Sequence, residues 1–103
     1  MTLAPTHGPG TLTDGIKTVA STATPEALTS TSTQVDFVDI QALSSNTTTL
    51  TIGTSAVVHG TTTQRGVKLA AGDTWTAYGV NLKDVYVDVG VNGEGVAWAA
   101  VIR

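Results

Sequence analysis

Three pieces of the chain decide its fold: Asn46-Thr47-Thr48-Thr49-Leu50-Thr51-Ile52-Gly53, Gly66-Val67-Lys68-Leu69-Ala70-Ala71-Gly72-Asp73, and Leu82-Lys83-Asp84-Val85-Tyr86-Val87. Each joins a short alternating run to a turn. Leu50 and Ile52 fall on one face with Thr49 and Thr51 opposite, the period-two signature of a half-buried strand, and Gly53 breaks it. Ala70-Ala71-Gly72-Asp73 is turn vocabulary, in which glycine supplies a positive φ. Val85, Val87 and Val89 face one way, and Asp84, Tyr86 and Asp88 the other. No piece carries an obvious chemical motif. The stretch specifies a small β-module built for packing and attachment.

Working outward, the same grammar recurs. Ile16 to Ala20 reads as a strand. Thr24-Pro25-Glu26-Ala27-Leu28 places Thr at an N-cap and Pro at a first helical position, which predicts a single helical turn. Val35 to Leu43 is a strand with Val38, Ile40 and Ala42 on one face and Asp39 and Gln41 on the other, closed by Ser44-Ser45-Asn46. Ala56-Val57-Val58, Arg65 to Leu69, and Thr74 to Tyr78 are further strands. Asn92-Gly93 predicts a hairpin turn joining the strand at Val85 to the one at Val96 to Ile102. That last strand is apolar on both faces: Val96, Trp98, Ala100 and Ile102 on one, Ala97, Ala99 and Val101 on the other. A strand apolar on both sides is buried on both sides, so its outer face calls for a cover, either another subunit or the chain's own N-terminal lead.

About eight short strands at close spacing predict an all-β domain, a small antiparallel β-sandwich or jelly-roll-like barrel. The 103 residues make one domain of modest core. Residues 15–103 are expected to form the sandwich. Residues 1–14, rich in Pro, Gly and Thr, are expected to form an extended arm; they are read either as a loose terminus or as an arm that orders on a neighbouring subunit. Twenty threonines, stiff at the first side-chain torsion, reinforce the β assignment.

Charge is sparse, with five Lys and Arg against eight Asp and Glu, a net −3. The basic residues Lys17, Arg65, Lys68, Lys83 and Arg103 are scattered, which argues against a nucleic-acid partner and against a polybasic membrane contact. The chain has no cysteine, so disulfides and thiolate chemistry are excluded. The first ten residues lack the apolar core of a signal peptide, and no window has the length of a membrane span. The chain reads as made in a cytoplasm and used wherever its assembly goes.

Chemistry is hard to find. A Ser-His-Asp set can be drawn from Ser55, His59 and Asp73, but no nucleophile-elbow motif supports it. Asp36, Asp39, Asp84 and Asp88 do not make the tight oxygen-rich loop that calcium requires. Trp75 and Trp98 align with apolar neighbours and read as core, whereas Tyr78 and Tyr86 fall on polar faces and read as exposed or interfacial. The expectation is a protein that is not an enzyme, with no cofactor and no metal.

The order of the motifs is more specific than any one of them. Val38-Asp39-Ile40-Gln41-Ala42, the Asn46 turn, Leu50-Thr51-Ile52-Gly53, the corner Gly66 to Asp73, Leu82-Lys83-Asp84-Val85-Tyr86-Val87-Asp88 and Gly95-Val96-Ala97-Trp98 together resemble a class of small tailed-phage structural proteins. Asn81 departs from that pattern, standing where the first Asp of the "Asp-Leu-x-Asp-x-Tyr-Val" strand often is. The resemblance covers roughly residues 25 to 100. It implies a virion role without catalysis, most like a capsid decoration (cement) protein on the outer surface of the capsid. The implied partners are the major capsid protein and further copies of the chain, as a homotrimer; neither nucleic acid nor membrane is implied. Burial of apolar surface at about 25 cal/mol per Å² and repetition over a lattice would supply the affinity. The expected contact residues are Pro5, His7, Pro9 and Leu12 in the arm, Tyr78 and Tyr86, and Ala97, Ala99 and Val101 on the last strand. The alternative is a binding module of a tail tip or fibre that recognises host glycans.

Overall fold

A computed structural model describes residues 10–60 and 62–102. Eight strands form two antiparallel four-stranded sheets: β1 (Thr11–Thr18), β2 (Glu26–Ala27), β3 (Phe37–Ala42), β4 (Leu50–Gly53), β5 (Val67–Leu69), β6 (Thr74–Tyr78), β7 (Tyr86–Val89) and β8 (Gly95–Ile102). One sheet runs β1-β8-β3-β6 and the other β2-β7-β4-β5. Apart from β4–β5, every consecutive pair of strands lies in different sheets, so the chain winds back and forth across the core.

The core is aliphatic because the alternating strands aim Val, Ile and Leu inward from both sheets. Val38, Ile40, Val96 and Ala100 come from one sheet, Leu50, Ile52, Val87 and Val89 from the other, and all are essentially inaccessible. Leu82 closes one end from a 3-10 turn, Leu82–Asp84, whose cap is Asn81. The Asn81 side-chain oxygen accepts from the Lys83 and Thr33 backbone N–H groups, and its amide donates to the Ser32 hydroxyl. Asn therefore serves at this position as both acceptor and donor, which a carboxylate cannot do. At the open side of the sandwich, the Lys17 ammonium on β1 meets the Glu26 carboxylate on β2 at 2.9 Å. An inward-pointing charge on an edge strand also discourages pairing with stray strands.

Several local expectations change in three dimensions. Residues 24–28 form no helical turn: Glu26 and Ala27 pair with Val87 and Tyr86, and the Leu28 N–H donates to Val85 O. Tertiary pairing and the burial of Leu28 override the Thr-Pro signal. Ala56 to Val58 is not a strand. The Val57 N–H closes a turn on Thr54 O, and only an isolated bridge links Val58 to Arg65. Gly66, at φ 118°, separates that bridge from β5, which shortens the strand expected from Arg65.

The Asn92-Gly93 turn forms, with Gly93 at φ 86° and the Glu94 N–H donating to Val91 O. It does not close a hairpin, because β7 and β8 lie in different sheets. The turn's polar groups go instead to the chain after β1: Gly93 N–H to Val19 O, Val19 N–H to Glu94 O, and Thr22 N–H to the Asn92 side chain. Asp84 lies in the 3-10 turn and so does not share a strand face with Asp88. Strand β1 starts at Thr11, so the last four residues of the expected 1–14 arm belong to the sheet.

One knot ties these corners together. Gly95 opens β8, and a β-carbon there would lie 2.0 Å from Lys17 O and 2.7 Å from the Thr18 Cα. The Asn46 amide donates to Gly95 O at 2.9 Å, and its oxygen accepts the Gly95 N–H at 3.3 Å. Leu43 N–H donates to the same Gly95 oxygen. Beside it the Glu94 carboxylate accepts from the backbone and hydroxyl groups of both Thr47 and Thr48, and these bonds hold its pKa below the ordinary glutamate value. Truncating Asn46 takes the partner from the buried Gly95 N–H and leaves Gly95 O with the Leu43 N–H alone, so Asn46→Ala should lower unfolding free energy by about 1–3 kcal/mol in urea titrations. Gly95→Ala should cost more than Asn46→Ala, since the methyl meets backbone that cannot swing away. Equal stability of both variants and the parent would contradict this arrangement.

Candidate functional site

The two sheets present very different outer faces. On the β2-β7-β4-β5 sheet, the outward residues Thr51 and Asp88 are paired across β4 and β7 and are nonetheless buried. Loops roof them. The Asp88 carboxylate accepts from the Ala23 N–H at 3.1 Å and the His59 N–H at 2.9 Å. The Thr51 hydroxyl meets His59 Nδ1 at 2.8 Å. Burial and the nearby Lys68 ammonium push the His59 pKa down, with Asp88 opposing them. Over Thr51 and Asp88 this face is occupied by its own chain.

The outer face of the β1-β8-β3-β6 sheet is open, and its strand register lays out a grid. One row is Leu12, Val101, Phe37 and Tyr78; the next is Asp14, Ala99, Asp39 and Thr76; the third is Ile16, Ala97, Gln41 and Thr74. Small residues of β8 form a floor, and longer side chains of β1 and β3 stand on either side. The result is a depression of about 740 Å³ over Ala97 and Ala99, reaching Asp14, Ile16, Asp39 and Gln41. Leu12 and Ile16 are each 71% exposed and Tyr78 is 76% exposed, a concentration of large apolar groups in water on one face. The Tyr78 ring leans on Phe37, with centroids 6.3 Å apart.

The expected contact residues divide on this geometry. Leu12, Tyr78, Ala97, Ala99 and Val101 share the open face. Tyr86 is half-buried on the opposite sheet and does not join them. Pro5, His7 and Pro9 lie outside the described residues. Ile16, Phe37, Asp14 and Asp39 are members that the sequence reading missed. The signal for Ile16 was available: taking Gly15 and Lys17 as the inward set of β1, in phase with Val19 just beyond it, would have turned Ile16 outward. Gly15 lies so close to the Trp98 indole that a β-carbon there would meet the ring at 2.8 Å.

Trp75 and Trp98 are half-buried against the core, as their apolar neighbours predicted. His59 and Asp73, drawn above into a triad with Ser55, have separate tasks: Asp73 accepts the Ala70 N–H at the β5–β6 corner, while His59 bonds Thr51. Among the described residues no group of three or more His, Cys, Asp or Glu could hold a metal ion, and no helix is long and apolar enough to cross a membrane. No protein-family model, curated protein or solved structure matches the chain.

His59 gives the roofed face a pH signature. Its folded pKa lies below the ordinary value of 6.5, so the folded protein favours the neutral ring. The stability this contributes is present above that ordinary value and is lost as pH falls through the depressed folded pKa. Glu26 and Glu94 are also depressed, but from 4.5, so their losses come at lower pH. Urea midpoints should therefore fall from pH 7 to pH 5.5, and His59→Gln should flatten that slope. An unchanged slope in the variant would show that His59 is not its source.

Proposed function

We propose that this chain is a non-catalytic structural protein of a tailed-phage virion, most like a decoration (cement) protein that binds the outer capsid lattice and stabilises the head. The observation that carries the reading is the asymmetry of the two outer faces. One is roofed over Thr51 and Asp88 by the chain's own loops; the other holds Leu12, Ile16, Phe37, Tyr78 and Val101 around an alanine floor. A domain with a modest core gains when such a face is covered, and coverage by a repeated lattice multiplies a weak contact into firm attachment. The winding of the strands supports a jelly-roll reading of the sandwich, since the orders β1-β8-β3-β6 and β2-β7-β4-β5 are those of eight strands wound as two interlocked Greek keys. The motif order from Val38 to Trp98 supplies the phage part of the proposal. The major capsid protein is the proposed partner, with homotrimers as the unit that docks.

The alternative, a glycan-binding module of a tail tip or fibre, needs flat exposed aromatics. Trp75 and Trp98 face the core, which leaves Tyr78 and weakens that alternative.

Cryo-electron microscopy of the particle, with copy number from quantitative mass spectrometry, tests the proposal. Density over the head and copies in the hundreds per virion are expected. Confinement to the tail, or a handful of copies, would overturn it.

A further inference from the structure

We infer that the trough along β8 is a docking site for an extended segment of a partner protein that carries one Arg or Lys between apolar residues. The inference rests on the proposal that this open face is the protein's contact surface, and it specifies the chemistry of what lies there.

The width of the trough selects the backbone. Its walls, β1 and β3, stand one strand spacing on either side of β8, so they are about 10 Å apart between backbones. An α-helix with its side chains is itself about 10–12 Å across and cannot settle between side chains raised on those walls. An extended chain can lie along the floor, where Ala97 and Ala99 leave room.

The charge of the trough selects the central residue. Asp14 and Asp39 are both register partners of Ala99, so the two carboxylates flank the floor at the same level. The Asp39 carboxylate is bonded to the Thr76 hydroxyl, and among the described residues no hydrogen bond or ion pair engages the Asp14 carboxylate. None of the grid residues is basic. A second copy of the same face is a poor occupant, because it would bring carboxylates against carboxylates. A guanidinium or ammonium fits between them, and the chain's net charge of −3 favours the same sign of partner.

The register selects the flanking residues. Successive rows of the grid are two residues apart, and an occupant strand has the same repeat. With its basic residue at the Ala99 level, its neighbours two positions either way meet Leu12, Val101 and Phe37 on one side and Ile16 and Ala97 on the other. Both ends are mainly apolar, with the Gln41 amide beside Ala97 as the polar exception, so small or branched aliphatic residues belong there. The recognised pattern is apolar-x-basic-x-apolar in an extended chain.

Two capped synthetic heptapeptides test this, both alternating Val and Thr, one with Arg and the other with Glu at its centre. They are titrated into the full-length protein and followed by amide NMR. The Arg peptide should shift the Ala97 and Ala99 signals and bind at least about tenfold more tightly than the Glu peptide, with an affinity that falls as salt rises. The double variant Asp14→Asn, Asp39→Asn, both at exposed positions, should keep its fold and lose most of that preference. Equal binding of the two peptides, no binding, shifts confined to the other sheet, or an unchanged preference in the double variant would each overturn the inference. Failure with the peptides while the protein decorates the head would overturn the occupant and leave the decoration reading standing. Success with a protein found only at the tail would do the reverse.

Discussion

Gly95 has nowhere to put a side chain, and most of the fold follows from that. The space a β-carbon would take is filled by the Lys17 carbonyl and Thr18, which brings β8 into contact with β1 at its first residue. Its own N–H and C=O are taken by the Asn46 side chain, and the carbonyl also by the Leu43 N–H, which brings the end of β3 to the same point. With β1 and β3 fixed on its two edges, β8 becomes an interior strand paired along its length. Its inward side chains, Val96 and Ala100, are then committed to the core. Its outward ones, Ala97, Ala99 and Val101, are committed to the floor of the open face. The knot at Gly95 thus sets both the interior and the open outer face.

The division between the two outer faces is also a matter of what the loops can cover. The β2-β7-β4-β5 sheet carries polar outward groups: Asp88 accepts the Ala23 and His59 N–H groups of the loops above it, and the Thr51 hydroxyl bonds the His59 ring. Buried carboxylate and hydroxyl groups must find partners, so this cover is fixed by hydrogen bonds. The outward groups of β8 offer no donor or acceptor beyond the backbone. Nothing among the described loops is drawn to them, and a partner with apolar side chains is the natural complement.

Strand periodicity made much of this legible before any coordinates. The alternation at Val38-Asp39-Ile40-Gln41-Ala42, at Leu50-Thr51-Ile52 and at Val85 to Val89 assigned the inward residues correctly, because a period of two leaves little choice once one face is apolar. The number of strands came out at eight, though with one exchange. Ala56 to Val58 has strand-forming residues, but its backbone is spent on a turn and a bridge. Glu26-Ala27 looked helical and became a strand because β7 had an unpaired edge. Asn92-Gly93 was read correctly as a turn and wrongly as a hairpin; a turn's local chemistry does not say which strands it connects. Half of the open face was visible in the double apolarity of β8. Its walls were not, because Asp14, Ile16, Phe37 and Asp39 are neighbours only across strands that the sequence does not order.

The proposed attachment surface is the open outer face of the β1-β8-β3-β6 sheet. Co-sedimentation of the double variant Leu12→Asp, Ile16→Asp with stripped capsids tests it most directly, because both side chains are mostly in water and their loss should leave the fold intact. The account predicts a variant that unfolds cooperatively at the parent's urea midpoint and stays in the supernatant. A variant that pellets with capsids at the parent's stoichiometry would contradict it.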